Sequence, residues 1–136
     1  MGPVNWIAVL VAALAAGALE LGWFGPAFGQ AKSRNVAAGR VMTRPRPERL
    51  AALSAVLLLV TATMLGHMFA RVGAETLAGR PWLYFMMSGG LAAAFVIPAL
   101  WISFSHIRVA TRVALIDAGY WLAAYLTMGA VFWLLG

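Results

Sequence analysis

The sequence predicts an all-α protein, an integral membrane four-helix bundle with both termini outside. Three observations lead there. Of the 136 residues, 63% are hydrophobic and 10% are charged, where a soluble domain carries about 25% charged residues. A chain this short leaves much of its surface exposed, so that much apolar surface requires lipid as solvent. Four apolar runs are each long enough to cross a hydrocarbon core of about 30 Å: Val4 to Phe24, Leu50 to Phe69, Trp82 to Phe104 and Val113 to Leu135. Their apolar residues are continuous, whereas membrane-barrel strands alternate, and only helices satisfy the backbone over such runs.

The first run, about 31 Å long as a helix, is read as a mature helix and not a signal peptide, because no Lys or Arg precedes it. Gly25-Pro26 is expected to end it, since proline biases its predecessor away from helix. The connection that follows, Gly25 to Arg49, carries Lys32, Arg34, Arg40, Arg44, Arg46 and Arg49. Part of it, Ala31 to Met42, suits a short interfacial helix. Its basic side chains fit either anionic lipid head groups or a purely topogenic role. Pro47 suits the first position of the second helix, with Glu48 at the positive end of its dipole.

The second connection holds Arg71 and Arg80, and the third Arg108 and Arg112. Basic residues thus concentrate in the first and third connections. The positive-inside rule makes those two cytoplasmic in a multi-pass protein. Trp6, Trp23, Trp82, Trp101 and Trp133 lie near run ends, where aromatic belts form; Trp121 lies deeper. The second and third connections are short, so helices two to four are expected to be antiparallel neighbours. Pro98 is expected to kink the third helix.

Helices in lipid associate through small residues. Such residues recur at helical spacing as Ala8, Ala12 and Ala16; Ala51, Ala55, Ala62 and Gly66; Ser88, Ala92, Ala99 and Ser103; and Gly119, Ala123, Thr127 and Ala130. These stripes point to a tight bundle.

Two carboxylates fall inside the apolar runs. Glu20 shares a helix face with Ala16 and Gly17, and Asp117 follows Arg112 by little more than a turn. Both sit roughly 6–9 Å below the cytoplasmic boundary. Ionisable groups at that depth are functional-site hypotheses by default. Three readings stand. Each acid pairs with Arg49, Arg108, Arg112 or His106, or accepts from Tyr120 or Ser103; the two share a proton or cation; or they reach water with no role. His67 and His106 lie toward opposite faces, so one chain cannot bring both to one metal. The chain has no cysteine, and no HExxH, nucleophile elbow or phosphate loop is present. No enzymatic activity, metal, cofactor or nucleic-acid partner is expected.

Two stretches carry a resemblance. One comprises Asn5-Trp6-Ile7-Ala8-Val9-Leu10-Val11-Ala12-Ala13 and Trp23-Phe24-Gly25-Pro26-Ala27-Phe28-Gly29. The other is Leu115-Ile116-Asp117-Ala118-Gly119-Tyr120-Trp121-Leu122, followed by Met128-Gly129-Ala130. The chain resembles the bacterial membrane family catalogued as domain of unknown function 1761, which implies a small four-helix protein of the bacterial inner membrane and no particular activity. Asp117 fits that pattern; Glu20 departs from it, an apolar residue being usual there. The function expected from sequence is assembly, as a homo-oligomer or as an accessory subunit of a larger membrane complex. The alternative is a small proton-coupled transporter using Glu20 and Asp117.

Overall fold

A computed structural model describes residues 2–31 and 46–136. Among them six α-helices and no strand are found: α1 (Trp6–Gly22), α2 (Pro47–Val72), α3 (Ala74–Gly79), α4 (Trp82–Leu91), α5 (Ile97–His106) and α6 (Thr111–Leu135). A π-helical turn, Trp23–Ala27, extends α1, and another, Ala92–Val96, joins α4 to α5. The result is four spans long and apolar enough to cross a membrane: Trp6–Ala27, Pro47–Val72, Trp82–His106 and Thr111–Leu135. The protein is a membrane-spanning, all-helical chain. The expected interfacial helix lies, beyond Ala31, outside the described residues, as do Lys32, Arg34, Arg40 and Arg44.

The helix ends follow local chemistry. Asn5 caps α1, its side-chain oxygen accepting from the Ala8 amide at 3.1 Å. Pro47 opens α2, with Glu48 in the first turn. At the end of α5, Val109 N–H donates to Phe104 C=O at 3.0 Å and Arg108 N–H to Ser105 C=O at 3.3 Å. Arg108 takes φ 55, the left-handed position that usually selects glycine in this Schellman-type stop. The tight stop lets α6 begin at Thr111 and fixes how far along it Asp117 sits.

The expectation for Pro26 needs correction. Pro26 does not end the first span; it lies inside the π-helical turn. Phe28 N–H reaches back to Trp23 C=O at 2.9 Å, so the wider turn carries the chain past a residue with no N–H to give. Pro98, expected to kink the third helix, stands at the start of α5, directly after the second π-helical turn. The hydrogen-bond ladder is already interrupted where the proline would break it.

The packing order also differs from the expected one. α1 packs between α2 and α6, and α6 in turn packs between α1 and the α4–α5 span. α2 and α4 meet where the rings of Phe69 and Tyr84 lie 4.8 Å apart, with Phe132 5.1 Å from Phe69. Helices two and three are thus joined by a short connection yet are not main packing partners. The helix that fits between its neighbours is the one with the smallest buried face: Ala8, Val9, Ala12 and Ala16 are fully buried. Small side chains let backbones approach on both sides, and this close packing drives association in lipid.

At the end of the bundle holding that ring cluster, Asn5 Nδ2 donates to the Leu135 carbonyl at 2.7 Å. The Gly2 amide reaches Ala70 O at 3.3 Å. These bonds place both chain termini at the same end.

The other small-residue stripes are buried only in part. Ala62, Gly66, Ser88, Gly89 and Ala92 are buried, but Ala51, Ala55, Ala99 and Ser103 are exposed. On α6 the buried line runs one position aside from the expected one, through Tyr120, Ala124, Met128 and Phe132. The larger residues of α6 fill the space that α1 leaves free.

Candidate functional site

At the opposite end of the bundle from the termini, α1, α2 and α6 line a partly open cavity of about 180 Å³. Its lining is Glu20, Phe24, Ser54, Leu57, Leu58, Asp117, Tyr120 and Trp121. Each helix brings its polar group by simple periodicity. Glu20 follows buried Ala16 by one turn, and Ser54 precedes buried Leu58 by one turn. Asp117 precedes Tyr120 on the buried face of α6 and is only 9% exposed. The structure therefore brings the two intramembrane carboxylates to the wall of one cavity.

Hydrogen bonds define the surroundings. Ser54 Oγ donates to Glu20 Oε1 at 2.8 Å, a charge-assisted bond of the stronger kind where the acceptor is ionised. The Tyr120 hydroxyl donates to the Ala16 carbonyl at 3.3 Å and not to a carboxylate, as one sequence alternative had it. That bond ties α6 to α1 one turn from Glu20. Asp117 has a polar or charged interaction of its own. Of the other sequence candidates, Arg112, His106 and Ser103 are exposed and outside the lining. Arg46 and Arg49 are exposed at the start of α2. Among the described residues, no three His, Asp or Glu side chains gather as a metal cage.

Aromatic packing closes the site. The Trp23 indole N–H donates to the Ile116 carbonyl at 3.0 Å, and its ring lies across Gly119, where an added Cβ would come within 3.1 Å of it. The Phe24 and Tyr120 rings stand 5.1 Å apart, and Tyr120 and Trp121 5.3 Å apart. The π-helical turn holds Trp23 and Phe24, so this irregular turn shapes the wall beside both acids. The two sequence stretches that carry the resemblance thus touch here: Trp23-Phe24 against Ile116, Gly119 and Tyr120.

Ser54, Phe24 and the seat for Trp23 do not stand out in the sequence. A lone serine in an apolar helix is common and faces lipid as readily as protein. Its one signal is the spacing that puts it on the face of Leu58. Trp23 reads as a belt tryptophan because belt position and helix contact produce the same placement near a run end.

Beside the cavity, α1 and α2 form an open groove of about 800 Å³. It is walled by leucines, with Ala13, Gly17, Ala18, Ala51 and Ala55 between them. Glu20, Phe24, Ser54 and Leu58 border both spaces. Ala51 and Ala55, outward-facing and missing from the core, line this groove.

No curated protein matches the chain, and no solved structure does. A family model described as a protein of unknown function, DUF1761, matches residues 7–133, nearly the whole chain, and the chain belongs to that family.

Proposed function

We propose that this protein is a small proton-coupled carrier in which Glu20 and Asp117 form one site for a proton or a cation. One observation supports this above all: two carboxylates from different helices line a single small cavity within the membrane spans. Placing charge there costs several kcal/mol unless it is compensated; the Ser54 bond to Glu20 and the interaction of Asp117 supply part of that, and in this reading a mobile proton or a bound cation shares in the rest. Sequence alone favours assembly; the shared cavity reverses that order. Assembly stays as a second reading because Ala51 and Ala55, a small-residue pair on α2, face outward into the groove.

The carrier reading is tested in proteoliposomes loaded with acid and a pH-sensitive dye. Inorganic and organic cations are added outside in turn. The expected result is proton efflux on addition of a transported cation, lost in Glu20→Gln and in Asp117→Asn. Efflux with none of them, or efflux unchanged in both variants, contradicts the reading.

In this reading the protein spans a bacterial inner membrane with its basic first connection in the cytoplasm, and anionic head groups are its lipid partners. The chain has no cysteine, so introduced ones report alone. An impermeant thiol reagent applied to intact cells is expected to label Thr76→Cys and to spare Arg40→Cys; the reverse inverts the orientation.

A further inference from the structure

We propose that His67 and Met64, with the Trp6 indole beside them, form a binding site for a soft monovalent metal ion, Cu(I) or Ag(I), at the end of the bundle that holds the termini. The site lies at the opposite end from Glu20 and Asp117 and does not depend on how those acids are read.

The His67 ring is already set as a ligand. Its Nδ1 lies 2.9 Å from the Thr63 carbonyl oxygen, one turn back on α2. A carbonyl oxygen only accepts, so Nδ1 carries the proton and donates it. In the neutral ring Nε2 then keeps its lone pair, and among the described residues it has no hydrogen-bond partner. A carbonyl bond at one ring nitrogen, fixing tautomer and ring orientation, is the usual support behind a histidine that holds a metal.

Met64 supplies the second donor. Residues three apart on a helix share a face with Cβ atoms about 5–6 Å apart, a gap that one ion bridges. Met64 is 61% exposed, so packing does not claim its thioether, and its rotatable bonds let the sulfur swing toward Nε2. Trp6 stands on a third side. Asn5 fixes the start of α1 by capping it through the Ala8 amide and bonding to the Leu135 carbonyl. The Trp6 ring that follows lies 6.0 Å from the His67 ring at 80°. Indole is the best of the aromatic partners for a cation, and here it flanks an ion with only two ligands.

The donors select the ion. Thioether sulfur beside imidazole nitrogen favours Cu(I) over harder metals, and Ag(I) shares its charge and softness. Among the described residues no three His, Asp or Glu side chains gather, so zinc and hard cations lack their usual ligands. Arg71 follows His67 by one turn on the same face and is exposed. Its fixed positive charge disfavours a divalent ion more than a monovalent one. His67 precedes Val72, the end of α2, by five residues, about 7–8 Å along the helix, so an ion reaches it from the water at that end.

The test is equilibrium dialysis of the full chain in lipid nanodiscs against silver nitrate in chloride-free buffer, with bound silver measured by mass spectrometry. The chain has seven methionines, so weak binding at other thioethers is the background. The wild type is expected to hold one silver ion more tightly than that background. His67→Phe, which keeps a ring against Trp6, and Met64→Leu are each expected to weaken the tight binding about tenfold or more. Met86→Leu, at an exposed position on α4, is expected to leave it unchanged, and zinc at the same concentration is not retained. Nitrogen NMR of the wild type keeps the test open if a variant folds poorly: silver should move the His67 Nε2 resonance and leave Nδ1 protonated. Silver bound only at background level overturns the proposal. So does tight binding that survives His67→Phe or Met64→Leu, or that Met86→Leu weakens equally. Zinc bound as tightly as silver, or a resonance shift at Nδ1 in place of Nε2, overturns it as well.

Discussion

Gly129→Ala is expected to destabilise the bundle by about 1–3 kcal/mol, the usual cost of overfilling a packed interface. An added Cβ at this position falls on the Ser88 hydroxyl, 2.9 Å from the Tyr84 carbonyl oxygen and 3.2 Å from Ser88 Cβ. None of these can swing aside. The carbonyl is backbone, and Ser88 is fully buried with its hydroxyl donating to that same carbonyl at 2.7 Å. Relief requires α4 to draw away from α6, which loosens the contact that holds the third span to the bundle. Thermal unfolding in detergent, followed by circular dichroism, should show a midpoint lowered by several degrees. Gly22→Ala is the control. Nothing lies within 4 Å of its added Cβ, and alanine is the better helix former, so its midpoint should hold or rise. Equal effects from the two substitutions would remove the close approach of α4 and α6.

The second large effect is expected at Asp117. It is nearly buried, on a face that also carries Val113, Ile116 and Tyr120. Asp117→Leu takes the carboxylate from a residue that has a polar or charged interaction of its own, in a region where lipid offers no replacement. An unsatisfied buried polar group costs about 1–3 kcal/mol. Asp117→Asn keeps size and hydrogen-bonding shape and is expected to unfold close to the wild-type midpoint. The two variants then separate fold from function: Asn preserves the bundle and abolishes cation-driven proton efflux, whereas Leu lowers both. An Asp117→Asn protein that retains full efflux would leave Glu20 acting alone.

How much of this was legible in the sequence depended on range. Run length and continuous hydropathy set the four spans, because satisfying the backbone in lipid is a local demand that each segment meets by itself. The common depth of Glu20 and Asp117 was legible for the same reason: helical rise converts residue number into depth. Their sharing of one cavity needed one fact more, that α1 packs directly on α6. Connection length suggested a different neighbour order, since a short link binds ends and says little about faces. The fully buried alanines of α1 decide the order, yet α2 offers Ala51 and Ala55 in much the same pattern, and these line the groove. Small-residue periodicity identifies faces able to approach a helix; which of them do so is set by the fit of all four spans together. The π-helical turns were hidden for a related reason: proline announces a break in the ladder, and the wider turn that accommodates it draws on contacts such as Trp23 with Ile116.

The claim on which the functional reading depends is that Glu20 and Asp117 face one cavity, and chemical cross-linking tests it most directly. Glu20→Cys and Asp117→Cys are introduced together into this cysteine-free chain, with a protease site placed in the connection between α1 and α2. A short bifunctional thiol reagent is applied in the membrane, the connection is cut, and the fragments are separated under denaturing conditions. The expected result is a linked pair of fragments within one chain, α1 joined to α6, with no link when the second cysteine replaces exposed Ser103 on α5. Separated fragments, or links formed only between two copies of the chain, would contradict a shared cavity and leave the two acids as independent structural groups.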